Sequence, residues 1–199
     1  MRGIFLTFIA VATSVLIAGP ARAGEVPSCN DCDFLTGGGF IVRDSGAKAN
    51  FGIGGGCKHG SPTWGHLEYI DHGTGLNVHW LTITAYFRIG EDGEPSNGGQ
   101  PTGTRLICGT ARTNQFVGDV AWAVLAQDTG EPGSDDEFTI WVTNPDGTTP
   151  LYTTSGDSNH TLGGSGSGGG NIQLHKPNPS TEGSFDGQCP AFPGINPGG

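Results

Sequence analysis

The chain has 199 residues, of which 37 are Gly and 13 are Pro, about a quarter of the whole. Charged residues make up only 14%, and the net charge is −10. This composition excludes a coiled coil or helical bundle. It excludes collagen, because glycine does not recur at every third position. Ten Phe, four Trp and three Tyr stand in patterned runs, which excludes simple disorder.

Residues 1–23 read as a secretory signal peptide. Arg2 gives the positive start, Ile4 to Ile17 the apolar stretch, and Ala21-Arg22-Ala23 the small-x-small cleavage site. Cleavage is expected after Ala23, giving a soluble protein outside the cell or in the periplasm. The apolar stretch is short for a membrane span. Removing it takes away Arg2 and Arg22 and no acid, so the net charge moves from −10 to −12. That balance argues against nucleic acid and against anionic membrane surfaces. Dispersed negative charge keeps such a protein soluble and monomeric.

After a short segment at 24–35, residues 36–177 read as one β domain. Phe40 to Arg43 is a brief strand after the Gly37-Gly38-Gly39 punctuation, and Lys48 to Ile53 is a second, closed by Gly54-Gly55-Gly56. His66 to Asp71 is a third. Asn77 to Ile89 is rich in β-branched and aromatic residues, either one long bent strand or two joined by a bulge. A polar loop covers 90–103. Thr104 to Arg112, Val120 to Gln127, Glu137 to Thr143, Leu151 to Thr154 and Asn171 to His175 complete the set. Phe138, Ile140 and Val142 alternate with Thr139, Trp141 and Thr143, the period of a half-buried strand. No stretch keeps helical spacing for three turns. The expected fold is an all-β, antiparallel β-sandwich of about nine short strands with Gly-rich loops. Residues 178–199 read as an irregular Pro/Gly-rich tail unless Cys189 pins it.

Several of these runs resemble the bacterial post-COAP domain: Gly37-Gly38-Gly39-Phe40-Ile41; Gly65-His66-Leu67-Glu68-Tyr69-Ile70-Asp71-His72; Thr129-Gly130-Glu131-Pro132-Gly133 with Asp135 to Ile140; and Gly169 to Pro177. The resemblance covers roughly residues 36–177. It implies a β-rich extracellular module with no established activity, so it carries over no functional residues. The long loops at 90–103 and 163–170 depart from the family.

The five cysteines are Cys29, Cys32, Cys57, Cys108 and Cys189. In an oxidising compartment they read as disulfides with one thiol left over. The preferred pairing is Cys57 with Cys108, and Cys189 with Cys29 or Cys32. A local Cys29–Cys32 bridge is the alternative.

The densest set of oxygen ligands is the segment 128–137, where Asp128, Glu131 and Asp135 offer three carboxylates to a calcium ion. The competing reading is a solvated turn shaped by Gly and Pro. No other cofactor is expected. His66, Glu68 and His72 share strand parity, and a metal-dependent hydrolase would need them to converge. Ser158 in Ser155-Gly156-Asp157-Ser158 lacks the Gly-x-Ser-x-Gly elbow of a nucleophilic serine. Of the tryptophans, Trp122 reads as core. Trp64, in the loop Ser61-Pro62-Thr63-Trp64, reads as exposed, with Trp141 as a second sugar-stacking candidate. Trp122 and Trp141 lie on adjacent strands and are able to share a face. The reading that results is a non-catalytic secreted module for extracellular binding, adhesion or spacing. Its partner would be an extracellular protein or polysaccharide, and the alternative is a carbohydrate-binding module using Trp64 and Trp141.

Overall fold

The structure, a computed structural model, describes residues 32–60, 62–93, 99–164 and 168–192. The signal peptide expected at 1–23, the segment up to Cys29, and the end of the tail lie outside these residues.

The described chain is all β, with ten strands and no helix. They are β1 (Phe34–Val42), β2 (Lys48–Gly56), β3 (Trp64–Asp71), β4 (Asn77–Gly93), β5 (Thr102–Thr113), β6 (Val120–Asp128), β7 (Glu137–Thr143), β8 (Pro150–Thr153), β9 (Gly170–His175) and β10 (Asp186–Gly187). Strands β1 to β8 form a meander in which each pairs antiparallel with the next, and β9 adds beside β1. Short turns between consecutive strands make this the simplest antiparallel connectivity.

One sheet gives two facing layers because β4 bends. This 17-residue strand pairs with β3 only through Asn77, Val78 and His79. Irregularities follow at Trp80/Thr82 and Ile83/Ala85, and the rest of the strand pairs with β5. Such bulges sharpen a strand's local twist and turn it out of its first layer. The place that β3 vacates beside Ala85 and Tyr86 is taken by β10. The long bent-strand reading of this region therefore holds.

The layers close over a core made from alternate residues. Phe51 of β2 stacks on Phe138 of β7 with ring centroids 4.0 Å apart, and Tyr69 of β3 lies 6.0 Å from the same ring. Leu35, Ile53, Leu67, Ile107, Trp122, Ile140 and Leu174 fill the space around them. A smaller cluster lies on the opposite face of β4–β7, where Ala85, Leu106, Ala123 and Trp141 are joined by Phe192 of the tail.

The two ends of the sheet meet. The segment 160–163 runs between β7 and β1: Phe138 N–H donates to the His160 carbonyl, Leu162 N–H to Asp136, and Gly163 N–H to Phe40. Nearby, the Ile172 and Leu174 N–H groups on the open edge of β9 donate to the side chains of Asp136 and Asp128, each at 2.7 Å. Carboxylates thus cap an edge that would otherwise expose unpaired donors.

Two expectations change. The disulfides are Cys32–Cys57 and Cys108–Cys189, not Cys57–Cys108. Cys57 points into the same cluster as Cys32, whereas Cys108 faces the outer cluster that the tail covers. The two sulfurs of the expected pair therefore lie on opposite faces. Cys189 pins the tail, the condition attached to its irregular reading, and the tail runs to Phe192 with the two-residue β10 as its strand. The second change concerns glycine. The triplets at 37–39 and 54–56 are not punctuation but lie inside β1 and β2. At Gly55 packing requires it, since a Cβ there would stand 2.7 Å from the Ile107 side chain.

Candidate functional site

Register places the chemistry-bearing residues of β9, β1, β2, β3 and β4 on one outward face. Opposite pairs on that face are Phe34 with His175, Thr36 with Gln173, and Gly38 with Asn171 between β1 and β9. Between β1 and β2 they are Thr36 with Gly54, Gly38 with Gly52, and Phe40 with Asn50. Between β2 and β3 they are Gly54 with His66, Gly52 with Glu68, and Asn50 with Ile70. Glu68 stands in turn opposite His79 of β4. The inward positions between them, among them Leu35, Phe51, Ile53, Leu67 and Tyr69, are core. This is the period-2 alternation of a half-buried sheet.

Along the middle of this face the side chains are missing. Gly38 and Gly52 are register partners. A Cβ on Gly52 would meet nothing within 4 Å, and one on Gly38 only a backbone oxygen at 3.4 Å. Neither position has a positive φ. Packing and backbone geometry therefore both permit a side chain here, unlike at Gly55. Glycine in a strand interior costs about 0.5–1 kcal/mol relative to Ala, and it marks sites of close approach. Gly54 is different again. A Cβ there would be 3.1 Å from the His66 ring and 3.7 Å from Trp64, so glycine lets these two rings lie down on the sheet.

The bare strip has aromatic rings at both ends. At one end Trp64 is half-buried and meets Phe34 edge-on at 5.8 Å, and Phe34 stacks on His175 at 4.4 Å. The Lys58 ammonium lies 5.0 Å from the Trp64 ring and 5.1 Å from Phe34. His175 Nε2 is 2.8 Å from the Thr36 hydroxyl. Burial, reinforced by Lys58, lowers the His175 pKa from its ordinary value of 6.5. At the other end Lys48 lies 4.3 Å over the Phe40 ring, and Ile70 is 41% exposed. Glu68 and His79 form an exposed pair on the far bank. A flat aromatic-ended face with amides and imidazoles on its banks can stack an apolar ring face and hydrogen-bond hydroxyl groups.

Comparison with protein-family models, with curated proteins and with solved structures finds no match to this chain. The geometry of the site therefore carries the functional argument.

Trp64 stands in this arrangement, and Trp141 does not. Trp141 is 7% exposed and lies under the tail with Phe192. Its Nε1 has no hydrogen-bond partner. A small apolar cavity of about 170 Å³ touches it, together with Pro150 and Tyr152. Trp122 is core, as expected, with Nε1 donating to the Thr110 carbonyl at 3.0 Å. It does not share a face with Trp141, because its register partner is Val142 and that of Trp141 is Ala123.

Of the carboxylates expected to hold calcium, two accept hydrogen bonds from β9 and the third faces solvent. Asp128 accepts from Leu174 and Gly130 N–H, Glu131 accepts from the Asn171 and Gln173 amides, and Asp135 is exposed. Among the described residues, no group of three or more His, Cys, Asp or Glu side chains is arranged to hold a metal ion. His66 and Glu68 do share the outward face, but His72 lies beyond β3 and bonds Asn50 at 2.8 Å. Ser158 donates to Asp44, and Asp157 is tied to Arg43.

Two further charged clusters escaped the sequence reading. Arg43 is held by Asp71, Asp157 and the Tyr152 hydroxyl, beside an open cavity of about 450 Å³. Arg105, fully buried, is held by Asp33 and Asp92. Every donor of Arg43 is engaged by its own chain. The cluster therefore reads as a clip between β1 and β8. The outward glycines did leave a signal: Phe51 and Ile53 alternate with Gly52 and Gly54, strand period with glycine at the positions of outward parity.

Proposed function

We propose that the protein is a secreted, non-catalytic module that binds carbohydrate on the outward face of β1, β2 and β3. The observation that carries this reading is Trp64 lying on Gly54 at the end of the bare Gly38/Gly52 strip. The half-buried indole stacks what it leaves exposed on the C–H face of a sugar, with the Lys58 ammonium beside it, and an unobstructed strip lets the next rings pass along the sheet. Gln173, Asn50 and His66 stand beside the strip as hydrogen-bonding groups. The two disulfides fit an oxidising compartment. Among the described residues no helix is long and apolar enough to cross a membrane. The signal peptide at 1–23 and the resemblance to an extracellular module support the same location.

Titration with soluble polysaccharides, read by tryptophan fluorescence, tests the proposal. Trp122 is fully buried and Trp141 nearly so, which leaves Trp64 and Trp80 to respond. A saturable response that disappears in Trp64→Ala supports the reading. A response that survives the substitution, or none across the panel, rejects it.

A further inference from the structure

The charges on this face narrow the carbohydrate. Among the described residues the ion pairs take up Arg43, Arg88, Arg105 and Arg112, each against an aspartate, and none holds a lysine. The chain has three lysines, Lys48, Lys58 and Lys176. Lys48 and Lys58 stand over the aromatic rings at the two ends of the bare strip, and Lys176 follows His175 at the Lys58 end. The carboxylates of the face are already engaged, Glu68 with His79 and Glu131 with the Asn171 and Gln173 amides. A chain of net charge −10 therefore keeps its unneutralised lysines on the face that has room for a ligand. Phe34 and Phe40 stand six positions apart on β1, roughly 20 Å of strand.

We infer that the ligand is a linear polysaccharide of mostly neutral sugars carrying sparse uronate carboxylates. This rests on the carbohydrate reading above. Lys58 and Lys48 meet carboxylates at the two ends, and neutral sugars cross Gly38 and Gly52 between them. Sparse charge is required, because a densely charged polyanion is repelled by the rest of this acidic chain. An ammonium held over an aromatic ring keeps its position without a protein carboxylate to neutralise it.

The test uses the whole protein with two probes, a glucuronic-acid-substituted xylan and a highly esterified pectin. Each is compared with its carboxyl-reduced form in calorimetry and in Trp64 fluorescence. The expected result is tighter binding of the acidic forms, weakened by added salt. Lys48→Gln and Lys58→Gln should each lose about two- to fivefold in affinity for the acidic forms only. Gly52→Val, whose side chain enters open space, should fold normally and block both forms. Equal binding of acidic and reduced polymers with an intact Trp64 response overturns the uronate inference and leaves the carbohydrate reading standing. Acidic binding unaffected by both lysine substitutions also overturns the inference. No binding of either form, with Trp64 fluorescence unmoved, counts against both.

Discussion

The Ile172 backbone N–H donates to the Asp136 carboxylate at 2.7 Å, so a side chain stands where a neighbouring strand's carbonyl would otherwise be. Asp128 does the same for Leu174, two residues along β9. The acidic segment between β6 and β7 is thus the seam at which the rolled sheet closes. Acidic residues suit that task because one carboxylate accepts several N–H groups. Asp136 takes Thr129 as well as Ile172, and Asp128 takes Gly130 as well as Leu174.

This seam has a pH signature. Burial raises the pKa of both Asp128 and Asp136 above the ordinary 3.8, and it outweighs the N–H hydrogen bonds that pull the other way. The folded protein therefore holds these protons more tightly than the unfolded chain does. Their contribution to stability is fully present below pH 3.8 and is lost as pH rises through the folded values. Asp136→Asn removes one of the two titrations and turns an amide donor toward the Ile172 or Thr129 N–H. It is expected to cost about 1–3 kcal/mol. The gap between wild type and variant should narrow as pH rises. Urea unfolding across a pH series measures it, and a gap that widens with pH contradicts the assignment.

The glycines separate by role, and substitution tests the separation. Gly55→Ala drives a methyl group into Ile107, an overpacking expected to cost about 1–3 kcal/mol. Gly52→Ala meets nothing within 4 Å and should leave stability unchanged or raise it by about 0.5–1 kcal/mol, the strand cost of glycine. Thermal unfolding of the two variants side by side distinguishes them. Equal destabilisation would mean that Gly52 is structural and that the bare strip has no need of a ligand to explain it.

The strands were legible in the sequence where side chains alternate, as in Glu137–Thr143, and where β-branched residues run long, as in β4. Glycine concealed the rest. With no side chain to show parity, Gly37 to Gly39 and Gly54 to Gly56 carry no local sign of burial, and it is the pairing of β1 with β2 and β9, and of β2 with β3, that shows them as strand. The same residues hid the candidate face, of which Trp64 and the shared parity of His66 and Glu68 were visible. The cysteine pairing was hidden for a related reason. A bulge in β4 and the return of the tail decide which face Cys189 reaches, and neither is encoded near Cys108.

Arg105 provides a test of how much the buried ion pairs matter. Its side chain is fully buried, with Asp33 on one side, Asp92 on the other and the Phe185 ring 5.5 Å away. Tyr86 donates to the same Asp33 carboxylate at 2.6 Å. Arg105→Met keeps most of the volume but leaves Asp33, 3% exposed, with no cation. The expected loss is about 3–5 kcal/mol in urea unfolding at neutral pH, because a buried charge without its partner is costly. Adding Asp33→Asn to Arg105→Met should recover part of the loss, since no lone carboxylate is then buried. A double variant no better than the single would show that Arg105 acts through packing rather than charge.

The C-terminal strap yields the last prediction. Cys108–Cys189 closes a separation of 81 residues, and Cys32–Cys57 one of 25. In the chain-entropy account the longer loop gains more, about 4.5 against about 3.5 kcal/mol. Replacing Cys108 and Cys189 together with Ala leaves the strap held by β10, by the Gln188–Thr84 hydrogen bonds, by Phe185 stacked on Tyr86 and by Phe192. Two β10 residues and two phenyl rings are a weak anchor against the conformational entropy that the freed tail regains. The double variant should therefore unfold with a stability lowered by about 2–4 kcal/mol. Trp141 emission should shift to the red before global unfolding, as Phe192 leaves the cluster that the two share. Hydrogen exchange at Tyr86 should accelerate in the same variant, because its N–H faces β10. Replacing Cys32 and Cys57 should lower stability without either local signal. Early Trp141 exposure in that second variant would mean that the strap is not held by Cys189.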